Sequence, residues 1–323
     1  MFLNRRTAIP LAMLLAALAG PLLACGSVPA QRAHALATPS GSAGAVGVWL
    51  LARSGERPIL DFLAGAHHSI DCELYQVTSR PLADGLAQAA ARGVRVRVIV
   101  EPRAGSTGVL RGERGVAILP TPRVTLDHTK SCLRDDGAAL VGTANWSASA
   151  LTKNADLVAL LPAGSGLARQ VAQVIRADTG GGGVPRFSDR LAPPQAVVSP
   201  VNARALLTAF VAQPGDRLLV TSEELRDAPL LDRLRDAAGR ERVDVAAPGE
   251  EPTPAGTHRC SSTLYMHAKV MVLWRQGQPA AAFLGSENLS QTSLDRNREI
   301  GVALGPAGAR EVAGALQPVL TCG

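Results

Sequence analysis

Aromatic residues are scarce: three Trp, two Tyr and five Phe make up 3% of 323 residues. So thin a supply argues against a base-stacking platform for single-stranded nucleic acid. It argues equally against the aromatic belts that flank membrane-spanning segments. Cysteine is sparse too, at five residues, with no C-x-x-C pair and no histidine spacing suited to zinc. Beyond the first 25 residues no apolar run is long enough to span a bilayer. What remains is a globular balance, 46% hydrophobic with ordinary Gly and Pro, in a chain long enough to bury roughly three quarters of its surface. A net charge of +6 and a pI near 9.5 favour an anionic partner: lipid headgroups, nucleic acid or a phosphorylated metabolite.

The chain states its main feature twice. Leu126-Asp127-His128-Thr129-Lys130 is followed by Gly142-Thr143-Ala144-Asn145, and His267-Ala268-Lys269 is followed by Gly285-Ser286-Glu287-Asn288. An acid comes eleven positions after each Asn, Asp156 in the first copy and Glu299 in the second. Chance is a poor account of a match at this many positions, whereas a lone H-x-K would mean little. Both His-x-Lys segments lie in β-branched or apolar runs (123–126 and 270–273) that read as strands. Residues two apart on a strand share a face, so His and Lys project together. Thr143 and Asn145, like Ser286 and Asn288, are again two apart, where a following strand runs into a loop.

This set gathers an imidazole, an ammonium, a hydroxyl and an amide around one small volume, donors suited to phosphate oxygens. Two copies supply two imidazoles, one to attack phosphorus and one to protonate a leaving oxygen. A neutral His is nucleophilic only if its other nitrogen is held, and the acid eleven residues past each Asn is a candidate clamp.

The pattern His128-x-Lys130-x4-Asp135-x6-Gly142-Thr143-x-Asn145 resembles the HxKxxxxD motif of the phospholipase D superfamily, whose signature is two such motifs, one per half. The resemblance covers nearly all of the chain beyond its N-terminal segment. It implies an α/β fold of two pseudo-symmetric α/β/α halves, each with a mixed central sheet, meeting at one shared active site. It also implies phosphodiester cleavage or transfer through a phosphohistidine, with no metal or other cofactor. Carried over residue by residue, His128 is the nucleophile and His267 the general acid. Lys130, Lys269, Asn145 and Asn288 hold phosphate oxygens, with Thr143 and Ser286 beside them, and Asp156 and Glu299 orient the imidazoles. Asp135, Gly142 and Gly285 are structural members of the motif. Asp135 is of opposite strand parity to His128, which suits a scaffold role. The second copy departs from the pattern, with Trp274 where the motif has Asp and four more residues between His and Gly, read as a longer hairpin turn over 274–279.

Along the chain, residues 1–25 read as an export signal, with Arg5-Arg6 ahead of an apolar stretch from Ala8 to Leu23. Leu22-Leu23-Ala24-Cys25 resembles a bacterial lipobox, which makes Cys25 a lipidation site; an ordinary cleaved signal with an incidental Cys25 is the alternative. Residues 26–45 read as a flexible tether. The first half spans 46–178: a helix from Arg57, a strand from Ser69, an amphipathic helix from Pro81, a strand from Gly93, and a basic loop over 101–122 with Arg103, Arg111 and Arg114. Gly and Pro mark 179–200 as a linker. The second half, 201–323, repeats the order: a strand from Arg217, a helix from Pro229 and a strand from Arg242. Pro81-Leu-Ala-Asp-Gly-Leu even aligns with Pro229-Leu-Leu-Asp-Arg-Leu.

If Cys25 is acylated, Cys72, Cys132, Cys260 and Cys322 leave an even number in an oxidising compartment, with three pairings open and Cys132 alternatively a buried thiol. His34, His67, His68 and His258 read as solvated. Trp146 either lines the cleft mouth or packs under its own loop. The expectation is an exported, envelope-bound phosphodiesterase acting on phospholipid headgroups, peripherally attached to the membrane by a lipid anchor. A nuclease of the same superfamily, with nucleic acid as substrate, is the first alternative. A binding protein that holds phosphate without turnover, favoured only by Trp274, is the second.

Overall fold

The computed structural model describes residues 46–105, 107–249, 251 and 253–323. The expected signal, Cys25, His34 and the tether lie outside the described residues.

Two seven-stranded mixed sheets carry the fold. The first contains β1 (Gly47–Leu50), β2 (Ser69–Leu74), β3 (Arg95–Val100), β4 (Val116–Leu119), β5 (Lys130–Arg134), β6 (Ala139–Gly142) and β7 (Leu157–Leu161). Its spatial order is β1-β7-β6-β5-β2-β3-β4. The second contains β8 (Gln195–Ser199), β9 (Arg217–Thr221), β10 (Arg242–Ala246) and β11 (His258–Arg259). After the short strand β12 (Ser261–Ser262), which pairs elsewhere, it continues with β13 (Lys269–Arg275), β14 (Gln278–Gly285) and β15 (Glu299–Leu304). Its order, β8-β15-β14-β13-β9-β10-β11, repeats the first position for position. In each sheet the inner parallel pair (β2–β3, β9–β10) is joined by a helix, Arg80–Ala91 or Ala228–Ala238. Both helices open on a side-chain cap, Ser79 accepting from the N–H of Leu82 and Asp227 from that of Leu230, and both carry Pro in the first turn.

Three cores follow from this layout. One lies on the outer face of the first sheet, under the helices Arg57–Ala64 and Arg80–Ala91. Another lies on the outer face of the second, under Ala203–Val211 and Ala228–Ala238. The third draws on both halves: Val141, Leu157 and Leu161 from the first sheet, Val270, Leu284 and Val302 from the second, with Ile175 and Val312 from the helices Gly166–Thr179 and Pro306–Leu316. Each fully buried Val, Leu or Ile contributes about 1.5–3 kcal/mol, so this shared core holds the halves in register around the cleft between them. Two disulfides add to these cores, Cys72–Cys132 across β2 and β5 in the first outer core, and Cys260–Cys322 at the shared one.

Several boundaries differ from the sequence reading. The stretch 179–200 is not all linker: β8 is the edge strand of the second sheet, paired antiparallel with β15, so the second half starts near Gln195 rather than at 201. Residues 123–125 bend instead of forming a strand, tied to the other half where the Thr125 N–H donates to the Arg296 carbonyl. The extra residues of the second copy lengthen β13 and β14; the turn itself is Gln276-Gly277, both at positive φ, a conformation that suits a two-residue hairpin. Trp274 lies one residue before the end of β13 with the Arg217 guanidinium 4.7 Å over its ring, away from the motif. Trp146 is buried in the first outer core, beneath its own loop.

Candidate active site

The backbone crosses between the halves at the two motifs. The His128 N–H donates to the Arg298 carbonyl, and the Arg298 N–H to that of Leu126. In the mirror arrangement the Ala155 N–H donates to the Tyr265 carbonyl and the Ala268 N–H to that of Ala155. The residue before each acid is therefore stitched to the segment carrying the other half's histidine. As a result the acids clamp across the halves: Glu299 Oε2 is 2.8 Å from His128 Nδ1, and Asp156 Oδ1 is 2.8 Å from His267 Nδ1. The Glu299 carboxylate is held further by the Ser293 hydroxyl and the Asn297 amide, and Asp156 by the Thr143 hydroxyl and the Asn154 amide.

Both imidazoles line one cavity of about 660 Å³, together with Asn145, Asn288, Tyr75, Glu223, Glu224 and Arg226. Lys130 and Lys269 lie at its floor, fully buried, each ammonium donating to the carbonyl of its own histidine at 2.6 and 2.7 Å. Asn288 Oδ1 accepts from the Glu224 N–H, while Asn145 Oδ1 has no partner among the described residues.

Charge in this floor is set by burial against pairing. Burial drives the His128 imidazole down to about 4, with Lys130 and Lys269 adding to the effect and Glu299 opposing it. Burial likewise brings Lys130 down to about 7. Glu299 and Asp156 are buried, which alone would raise them, yet the facing histidines and lysines hold both below the ordinary carboxylate range. Near neutral pH, His128 is thus a neutral ring with its Nδ1 proton directed at Glu299, leaving Nε2 its lone pair.

Other motif residues serve as scaffold. Thr143 and Ser286, expected beside phosphate, are wholly buried behind the floor. Their oxygens accept from the N–H of Leu157 and Ile300, the residue after each acid, and Thr143 also donates to Asp156 at 2.5 Å. Burial keeps both hydroxyls out of reach of a group in the cavity. Asp135 accepts from the N–H groups of His67 and Ser69, fixing the entry to β2. An added Cβ at Gly142 would meet the Lys130 and Leu157 carbonyls at ordinary contact distance, whereas at Gly285 it would clash with Gly301 and the Glu287 carboxylate. In the basic loop, Arg103 pairs with the buried Glu101, whose carboxylate also accepts from the Asp127 N–H.

Two groups absent from the sequence expectation stand in the site. Glu223 Oε2 lies 3.2 Å from His267 Nε2 and 3.0 Å from Lys269 Nζ. Glu287 is fully buried beside the floor, and among the described residues no side chain pairs with its carboxylate. For Glu223 a signal existed: the register that aligns Pro81 with Pro229, carried back six positions, pairs Tyr75 with Glu223. Among the described residues, the one grouping of acid, His or Cys atoms close enough to share an ion is Asp244 with Cys260 and Cys322, whose sulfurs are bonded to each other.

Residues 59–178 match the family described as "Cardiolipin synthase, PLD-like domain". No curated protein matches the sequence. Among solved structures, the phosphatidylserine synthase of Haemophilus influenzae superposes with a TM-score of 0.65 at 12% identity, covering 87% of this chain and 88% of that one. The polyphosphate kinase of Porphyromonas gingivalis gives 0.61 at 17% identity, over 80% of this chain, which spans only 44% of the kinase. Nuc of Salmonella typhimurium, a phospholipase D family member, matches 44% of this chain and 98% of its own at 20% identity, with a TM-score of 0.38. At these identities the likeness is one of fold. The family match covers residues 59–178 of the first half, and the fold shared over both halves is phospholipase D-like.

Proposed function

We propose that the chain is a phosphodiesterase of the phospholipase D type, cleaving or transferring a phospholipid headgroup through a phosphohistidine. The observation that carries this reading is that two imidazoles line one cavity, each held at Nδ1 by a carboxylate from the opposite half. His128 Nε2 attacks phosphorus, forming the N–P bond as the P–O bond to the leaving alcohol breaks, and His267 delivers a proton to that oxygen. Water, or an acceptor alcohol, then attacks the phosphohistidine, giving its proton to His267 as the N–P bond breaks. Lys130, Lys269, Asn145 and Asn288 neutralise the non-bridging oxygens.

The walls favour a small zwitterionic diester over a polynucleotide. Glu223 and Glu224 line the cavity, and its one wall arginine, Arg226, is paired to Glu251. A groove for nucleic acid would instead present a run of free cations. Export, and anchoring at the envelope through Cys25, belong to the same proposal; two disulfides in a chain of this kind suit an oxidising compartment.

The test is to incubate the mature protein, in chelator, with phosphatidylcholine vesicles and with plasmid DNA. Choline release with DNA intact is expected; DNA cleavage without choline release transfers the reading to a nuclease. Loss of turnover by several orders of magnitude in His128→Asn and His267→Asn is expected as well, and full activity in either variant rejects the mechanism.

A further inference from the structure

The two halves differ at one matched position beside the reacting rings. Tyr75 and Glu223 occupy equivalent places. Two residues later Val77 and Leu225 bridge to Trp146 and Leu289, and four residues later Ser79 and Asp227 cap equivalent helices. In the first half the Tyr75 ring stands edge-on to His128, centroids 4.8 Å apart, with the Lys130 ammonium 5.1 Å from its centre. A phenol ring there offers His128 Nε2 no anion. In the second half the same place puts a carboxylate 3.2 Å from His267 Nε2. That carboxylate is held in turn by Lys269 and by the Tyr265 hydroxyl, which donates to Glu223 Oε1 at 3.4 Å.

We infer that Glu223 is a positioning residue that keeps His267 doubly protonated, so that of two matched histidines only His128 is left to attack. This rests on the phosphodiesterase reading for the roles of the rings, but the protonation pattern stands without it. A neutral imidazole has one N–H and one lone pair. His267 has carboxylate oxygens at both nitrogens, Asp156 at 2.8 Å and Glu223 at 3.2 Å. Were the ring neutral, its lone pair would face an anion; with both nitrogens protonated, each faces an acceptor. The other titratable groups around it are Lys269 two residues on, and His128, Lys130 and Glu299 across the floor; Glu224, Arg226 and Glu251 surround Glu223 at the mouth. The lysines oppose the extra proton and the two carboxylates offset them.

In turnover the leaving oxygen replaces Glu223 Oε2 as the neighbour of Nε2–H and takes that proton. Glu223 itself remains an anion throughout. His267 is recharged by the proton of the attacking water.

The experiment uses the substrate-free full chain with ¹⁵N-labelled histidine rings at pH 7. Two protonated ring nitrogens are expected for His267 and one for His128. Glu223→Gln removes the anion and is expected to turn one His267 nitrogen into a bare, lone-pair nitrogen while His128 is unchanged. Glu223→Asp, which keeps the charge, retains the two-proton signature and guards against a misfolded Gln variant. A wild-type His267 with one bare nitrogen, or a Gln variant identical to wild type, overturns the inference whatever the substrate proves to be. With turnover in hand, Glu223→Gln is expected to lose ~10-fold or more on an alkyl phosphodiester but little on a p-nitrophenyl ester, whose leaving anion needs no acid. Equal losses on both esters reject the role.

Discussion

Asp156 of the first half holds His267 of the second, and the contact is buried: the carboxylate is fully enclosed and lies 2.8 Å from Nδ1. Its mirror image is the contact of Glu299 with His128. Which acid serves which ring is thus a cross-half matter, and this makes a sharp prediction. Asp156→Asn keeps the shape but loses the charge that fixes the proton on Nδ1. It is expected to lower turnover on the order of 10³-fold or more, as removal of an orienting carboxylate does in an acid–base pair. Ring signals of His267 should move while those of His128 stay, with Glu299→Gln doing the reverse. Perturbation of the same-half histidine instead would contradict the pairing.

The pH dependence of kcat/KM, which reports groups of the free enzyme, follows from two buried bases. On the proposed mechanism His128 attacks as the neutral ring and Lys130 holds phosphate as the cation, so the rate constant climbs as pH rises through about 4. Lys130 must be charged to hold phosphate, and burial sets its loss of charge at about 7, so the rate constant falls above that value. A bell between these limits is expected in a stopped assay on vesicles. A profile still flat at pH 9 would remove the Lys130 charge from the mechanism.

Glu287 offers a stability test at a carboxyl whose burial outweighs the nearby backbone N–H groups of Ser286 and Glu287. Burial first, and then the nearby Glu299, pushes its carboxyl well above the ordinary range, so it is folded in uncharged. In the unfolded chain it ionises near pH ~4.3. Between that value and the raised folded one, the unfolded state binds fewer protons, so stability is lost as pH rises. Glu287→Gln is therefore expected to melt higher than wild type at pH 8, by about 2–4 °C for each ~1 kcal/mol regained, with the gap closing toward pH 4. An equal gap at both pH values would show that charge is not the cause.

Much of the site was legible because strand parity and a doubled motif say which residues share a face. His128 with Lys130, and His267 with Lys269, needed only the two-residue period, and the matched spacing picked out Asp156 and Glu299, the two acids that meet the rings. Spacing is blind to which half an acid faces, since that depends on the backbone stitches at Arg298 and Ala155. Parity also misled at Thr143 and Ser286. They do sit two residues before an asparagine, but a hydroxyl beside a strand end bonds the nearest free N–H, here Leu157 and Ile300. The strand reading of 123–126 failed because the bend there answers to a contact of Thr125 with Arg296, 171 residues away in sequence. β8 was hidden inside a Pro-rich stretch because an edge strand tolerates flanking prolines that an inner strand would not.

Because each ring borrows its acid from the opposite half, neither half holds a working constellation alone. A site assembled from two identical chains would meet that need only by giving every residue the same duty twice. Fusion into one polypeptide lifts that restriction: the partner is always present in equal number, and a change in one repeat is not copied into the other. Tyr75 facing one histidine and Glu223 facing the other is a division of labour that only such a covalently joined pair permits.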